Sequence, residues 1–99
     1  MNTLSKFDLY KNSINDILSS IPYIKFESTI KLIKNTIKNN GQVFLVGNGG
    51  SSSIASHISV DFSKVAKIKS STFNNSNFIT CFANDYGYEN WVTEAIKAH

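Results

Sequence analysis

The chain has little of what stiffens or cross-links a fold: its 99 residues include one cysteine, Cys81, and one proline, Pro22. A single cysteine excludes an internal disulfide framework and fits a reducing compartment. Cys81 itself reads as a small buried apolar residue rather than a nucleophile. No stretch approaches the ~20 apolar residues that a membrane-spanning helix needs. The amino terminus lacks a basic-plus-apolar signal, so a cytoplasmic protein with no membrane partner is expected. There is also no basic block. Ten basic and seven acidic residues give a net charge of +3, and the lysines stand singly, without interleaved aromatics. That pattern argues against a nucleic-acid partner. Neither an internal repeat nor a low-complexity tract nor a linker is present. A chain this short is one modest domain or a piece of a larger one. It buries a smaller fraction of its surface than a large domain does, which makes oligomerisation or further sequence an expectation.

What is present is an ordered series of amphipathic segments. Phe7, Tyr10, Ile14, Ile17, Leu18 and Ile21 recur at helical spacing over residues 3–21. Pro22 ends that helix, because proline excludes its predecessor from the α region. A second helix carries Phe26, Ile30, Ile33 and Ile37 on one face, and "NNG" at 39–41 stops it. The two make a helical hairpin over residues 1–40 whose stripe must be covered by the domain itself or by another subunit. "QVFLV", 42–46, then reads as a strand buried on both faces, as in a parallel α/β sheet. A helix from about Ser52 to Ala66 follows, with Ile54, Ile58, Phe62 and Val65 toward the sheet. "KIKSSTF" can supply a second strand. "FITCFA" has strand propensity, yet Asn75 and Ser76 before it can cap a helix. "YENWVTEAIKAH" reads as a last helix, with Trp91, Val92, Ala95 and Ile96 apolar.

The chemistry concentrates where the first strand ends, in "GNGGSSS", 47–53. Glycines let the backbone turn tightly and bring its N–H groups close to a ligand. Where such a loop opens a helix, those donors and the helix dipole favour an anion such as phosphate. Serine hydroxyls add donors and acceptors. The carboxyl end of a parallel strand is also where open α/β sheets bind ligands. No Gly-Lys-Ser/Thr ends the loop, so it is not a Walker loop. Ser52 stands where the dinucleotide GxGxxG would have its last glycine.

His57 and Asp61 lie at i and i+4 and share one helical face, one residue displaced from the Ile54–Ile58–Phe62 stripe. Imidazole and carboxylate can hold Zn²⁺ or a similar ion, although two ligands do not make a site. A plain His–Asp helix pair fits the same spacing. In "ANDYGYEN", Asn84 and Asp85 read locally as a turn followed by a capped helix.

Together, the strand–"GNGGS"–helix unit, the histidine at that spacing and "ANDYGYENWV" resemble the sugar isomerase (SIS) family, and within it the phosphoheptose isomerase group. The resemblance runs along essentially the whole chain. It implies a three-layer, flavodoxin-like parallel-sheet domain, of which residues 41–99 would be the N-terminal half behind the helical hairpin. It implies that "FITCFA" is helical, and that Asn48, Gly49, Gly50, Ser51, Asn84 and Asp85 contact substrate. His57 matches the family's first metal-ligand histidine. Asp61 stands where the family usually has a glutamate that binds zinc and moves a proton, so its carboxylate is one methylene short. The family continues with another strand, a second serine-rich loop for the phosphate and a helix bearing further Gln and His ligands. The chain is therefore expected to be a fragment with an incomplete zinc site, inactive alone.

The activity so implied interconverts a ketose phosphate and an aldose phosphate. The expected substrate is sedoheptulose 7-phosphate and the product D-glycero-D-manno-heptose 7-phosphate, feeding lipopolysaccharide or capsule synthesis. His57 and Asp61 would be the catalytic and metal residues, and the helices would build a homotetramer. Two rivals are a non-catalytic SIS relative, phosphosugar- or replication-initiator-binding, and a helical interaction module.

Overall fold

The computed structural model describes residues 2–99. The chain divides into two compact units at Lys34 and Asn35. The first strand expected from the sequence, the helix after it, and the helical reading of the segment after Asn75 all appear.

Helix α1 spans Thr3–Ser19, and the Asn2 side chain caps it by accepting the Ser5 N–H at 2.8 Å. Helix α2 spans Tyr23–Lys38. Its end is set by "NNG": Asn40 takes a left-handed conformation (φ 57°), its N–H donates to Ile37 O, and Gly41 N–H reaches Thr36 O at 2.8 Å. These two bonds form a Schellman stop, which satisfies carbonyls the helix would otherwise leave bare. No residue of α1 or α2 is buried. The apolar stripes read from the sequence, Phe7, Ile14 and Ile17 among them, lie exposed.

In the second unit, strand β1 (Val43–Phe44) pairs in parallel with β2 (Ser70–Ser71), in the register Val43↔Ser70 and Phe44↔Ser71. Helix α3 (Gly50–Lys64) makes the crossover that parallel strands require. Helix α4 spans Ser76–Tyr86, and a 3₁₀ turn over Tyr88–Asn90 leads into α5, Trp91–Lys97. Asn75 decides the ambiguous segment: its Oδ1 accepts the N–H groups of Asn77 and Phe78 and starts a helix where propensity alone suggests a strand.

Side chains alternate along the segment that continues β2, and the two faces differ in chemistry. Phe73 (3 % exposed) enters an apolar core with Trp91 and Ala95, and Phe44, Phe78, Ile79, Phe82 and Val92 pack around it. Its ring stacks on Phe44 at 4.8 Å and on Phe78 at 5.4 Å, while His99 meets it edge-on at 4.9 Å. The opposite face is polar. Ser70 Oγ donates to Ser59 Oγ, and Asn74 Nδ2 donates to Ser52 O and Ser56 Oγ at 2.8 and 2.7 Å.

Several expectations need correction. The two parallel strands among the described residues agree with part of an α/β domain, but they are short, and β1 is half-buried rather than buried on both faces. A two-stranded sheet has too few neighbours to close over itself. On α3 the buried residues are Ala55 and Ser59, with Ile58 and Phe62 partly covered, whereas Ile54 and Val65 are exposed. The seam against β2 is built of hydroxyls and an amide, so a small polar face meets it. Ile96 is exposed on α5. Cys81 is exposed as well, its thiol 3.8 Å from Asp85 Oδ2, and not the buried apolar residue anticipated.

If Phe73 anchors the second unit, Phe73→Ala should cost about 3–5 kcal/mol, as truncation of a buried aromatic does. Urea denaturation followed by Trp91 fluorescence measures this directly. A loss below ~1 kcal/mol would move the anchor elsewhere.

Candidate functional site

The site is a loop whose shape is dictated by two glycines. A Cβ on Gly47 would lie 2.5 Å from both C and O of Ser51 and 2.8 Å from Ser52 N. Backbone therefore folds directly onto backbone, and no other residue fits. Gly49, the N-cap of α3, has φ 54° and ψ −120°, a region that L side chains rarely adopt. Nothing lies within 4 Å of its would-be Cβ, nor of that of Gly50. The loop surface is open.

This turn leaves donors without acceptors. Ser51 N–H donates to Asn48 O, and Ser52 and Ser53 N–H groups both turn to Gly49 O. Among the described residues, the N–H groups of Gly49 and Gly50 have no partner, and no side chain caps α3. The helix dipole adds to their pull on an anion. The loop itself, residues 47–53, carries no lysine or arginine, and offers backbone N–H, amide and hydroxyl groups.

Asn48 is exposed at the tip, and its Oδ1 accepts the Tyr88 hydroxyl at 2.7 Å. That bond ties the loop to the "NDYGYE" segment across forty positions of sequence. Asn84 and Asp85, expected at a turn, instead occupy the last turn of α4, which continues until Gly87 N–H closes on Ala83 O. Asn84 Nδ2 donates to Asp85 Oδ1 at 3.2 Å, and both residues are exposed.

His57 and Asp61 sit on α3 with Nε2 and Oδ2 3.5 Å apart and side chains 79 % and 54 % exposed. They lie across the helix from Ala55 and Phe62, away from the sheet. A divalent ion bridging imidazole and carboxylate would suit this pair, yet no group of three His, Cys, Asp or Glu residues converges among the described residues. Two of the usual four ligands of a zinc ion are present. Among the described residues, no helix is long and apolar enough to cross a membrane.

Sequence reasoning missed two residues. Tyr88 is inside a segment already singled out, but a hydroxyl-to-amide contact leaves no local pattern. Asn74 fastens the first turn of α3 through its amide nitrogen, while its Oδ1 is buried without a partner among the described residues. Its place one residue after an aromatic core position was the available signal.

A helix opened by free backbone donors at the end of a parallel strand is the arrangement of an α/β chain with an uncapped loop-to-helix junction. The chain is, in particular, related to phosphoheptose isomerases over a region corresponding to part of those proteins. It is 27 % identical to the phosphoheptose isomerase of Helicobacter pylori strain P12, over 94 % of this chain and 51 % of that protein. It is 33 % identical to phosphoheptose isomerase 2 of Campylobacter jejuni, over 85 % and 48 % respectively. It is 26 % identical to the phosphoheptose isomerase of Sodalis glossinidius, over 92 % and 54 %. The chain thus spans about half the length of the curated relatives it matches. No protein-family model and no solved structure matches it.

The two loop glycines make opposite predictions. Gly47→Ala should destabilise the second unit by about 1–3 kcal/mol, because Ser51 backbone must move. Gly50→Ala, in a helix and facing open space, should be neutral or stabilising by up to about 1 kcal/mol. Thermal unfolding of both variants tests the pair, and equal effects would contradict the loop geometry.

Proposed function

We propose that the intact protein is a sugar-phosphate isomerase that converts sedoheptulose 7-phosphate to D-glycero-D-manno-heptose 7-phosphate. The observation that carries this reading is the uncapped start of α3, with the Gly49 and Gly50 N–H groups free. The names of the relatives support it. In this reading Asn48, Gly49, Gly50 and Ser51 bind oxygens of the sugar phosphate, and Asn84 and Asp85 contact the sugar chain. The "GNGGS" and "NDYGYE" segments would form one wall of a pocket within a SIS-type domain.

The Asp61 carboxylate is the proposed base. It takes a proton from C1, next to the ketose carbonyl, leaving an enediolate, and returns a proton to C2 while the hydroxyl proton passes from O1 to O2. Proton transfer by a positioned side chain contributes about 10²–10⁴-fold. His57 and Asp61 would supply two ligands to a zinc ion, the remainder coming from outside the described residues. When bound, the metal would stabilise negative charge developing on the substrate oxygen. The backbone donors of the loop would bind oxygens of the sugar phosphate and help to orient it.

The exposed stripes of α1 and α2 complete the proposal. They carry Leu4, Phe7, Ile14, Leu18 and Ile30 uncovered, and such large apolar surfaces mark interaction faces. Residues 1–40 would form an oligomerisation element, in a homotetramer. Light scattering of the intact protein should find an oligomer, and a monomer at micromolar concentration would remove this part of the reading.

Activity is tested with sedoheptulose 7-phosphate as substrate. Asp61→Asn should lower kcat by about 10²-fold or more with the circular dichroism spectrum unchanged. Asp61→Glu, which lengthens the reach by one methylene, should keep or raise it. His57→Ala should lose bound divalent metal by elemental analysis. Turnover unchanged in Asp61→Asn would take that residue out of the mechanism.

A further inference from the structure

We infer that Tyr88 is a positioning residue that keeps the loop open as a set of donors, an inference that rests on the sugar-phosphate reading of the same site. The reasoning starts with Asn48. Its side chain is exposed between two glycines, and its one hydrogen bond among the described residues is the 2.7 Å contact from the Tyr88 hydroxyl to Oδ1. Asparagine in such a turn has another choice. Its Oδ1 commonly accepts the backbone N–H two residues on, closing an Asx turn. Here that N–H belongs to Gly50, one of the free donors at the start of α3.

Self-capping would silence the loop, because Gly50 N–H would be used up internally. The Tyr88 hydroxyl occupies Oδ1 instead and holds the amide turned away. Two consequences follow from the one bond. Gly50 N–H stays free, and the Asn48 Nδ2 hydrogens, which also have no partner among the described residues, remain available as additional donors. Gly49 N–H, Gly50 N–H and Asn48 Nδ2 then offer donors together, suited to phosphate or sugar oxygens. Tyr88 need not touch the ligand to do this. Its hydroxyl is the relevant atom, and its ring serves as the spacer that carries the hydroxyl from the 3₁₀ turn to the loop.

The test removes only that hydroxyl. In the intact protein, sedoheptulose 7-phosphate is titrated calorimetrically into wild type, Tyr88→Phe, Asn48→Ala and the double variant. Tyr88→Phe should weaken binding about two- to tenfold, the range of one neutral hydrogen bond. In the Asn48→Ala background the same change should do nothing further, because there is no amide left to position. A general structural role for Tyr88 would give losses that add, and additivity would overturn the inference, as would unchanged affinity in Tyr88→Phe. Nitrogen-15 NMR without ligand supplies the second reading: Tyr88→Phe should shift the Gly50 amide and the Asn48 side-chain amide together. Identical resonances in the two proteins would overturn the inference even if the sugar phosphate binds. Failure of wild type to bind the sugar phosphate would instead overturn the functional reading, and the NMR comparison would then judge the Tyr88 contact by itself.

Discussion

The second unit depends on the alternation of two neighbouring residues, Phe73 and Asn74. Phe73 is buried against Phe44, Phe78 and Trp91, and so joins the sheet to α4 and α5. Asn74 turns the other way and binds Ser52 O and Ser56 Oγ, and so joins the same segment to the first turn of α3. One dipeptide thereby connects both faces. The aromatic contact supplies most of the free energy, since a buried Phe is worth several times a neutral hydrogen bond. The amide supplies direction. It fixes α3 where its N-terminus meets the glycine loop, and the position of the loop is therefore inherited from core packing rather than set within the loop itself.

Much of this was legible in the sequence, for identifiable reasons. Capping signals are local, so "NNG" and Asn75 fixed helix boundaries correctly, and Asn75 outweighed the strand propensity of "FITCFA". The glycine-rich loop was legible because close backbone approach leaves glycine no substitute at position 47. The buried face of α3 was not legible. Hydrophobic periodicity selects Ile54 and Val65, but the partner is a seam of Ser70 and Asn74, against which Ala55 and Ser59 pack. Periodicity reports apolar partners and is blind to polar ones. The strand lengths failed for a related reason: "QVFLV" is apolar enough for a strand in a full sheet, and two paired strands support only Val43 and Phe44.

The site shows the same division. Its backbone donors follow from composition, while the contact between Tyr88 and Asn48 depends on where the fold puts two side chains far apart in sequence. His57 and Asp61 share a face as their spacing required, but that face is solvent-exposed and opposite the sheet. A salt-bridge geometry so exposed contributes little to stability. The pair is therefore free to engage something else without cost to the fold.

Three of the five α-helix starts among the described residues bear on the last point. Asn2 caps α1 and Asn75 caps α4, each with its own side-chain oxygen on backbone N–H groups. At α3 an asparagine is again at hand, Asn48, next to the cap position. Its oxygen is drawn to Tyr88 instead, the cap is Gly49, and Ser51, Ser52 and Ser53 leave the free donors untouched. The same residue type thus closes two helices and leaves the third open. Position is part of the difference, because Asn2 and Asn75 are the N-cap residues whereas Asn48 precedes the cap, Gly49. A second difference is a competing donor from a distant segment, the Tyr88 hydroxyl. The open start of α3 thus combines a local cause, a glycine at the cap, with a tertiary one, the Tyr88 contact to Asn48, at a helix that follows a parallel strand, where an α/β sheet presents its ligands.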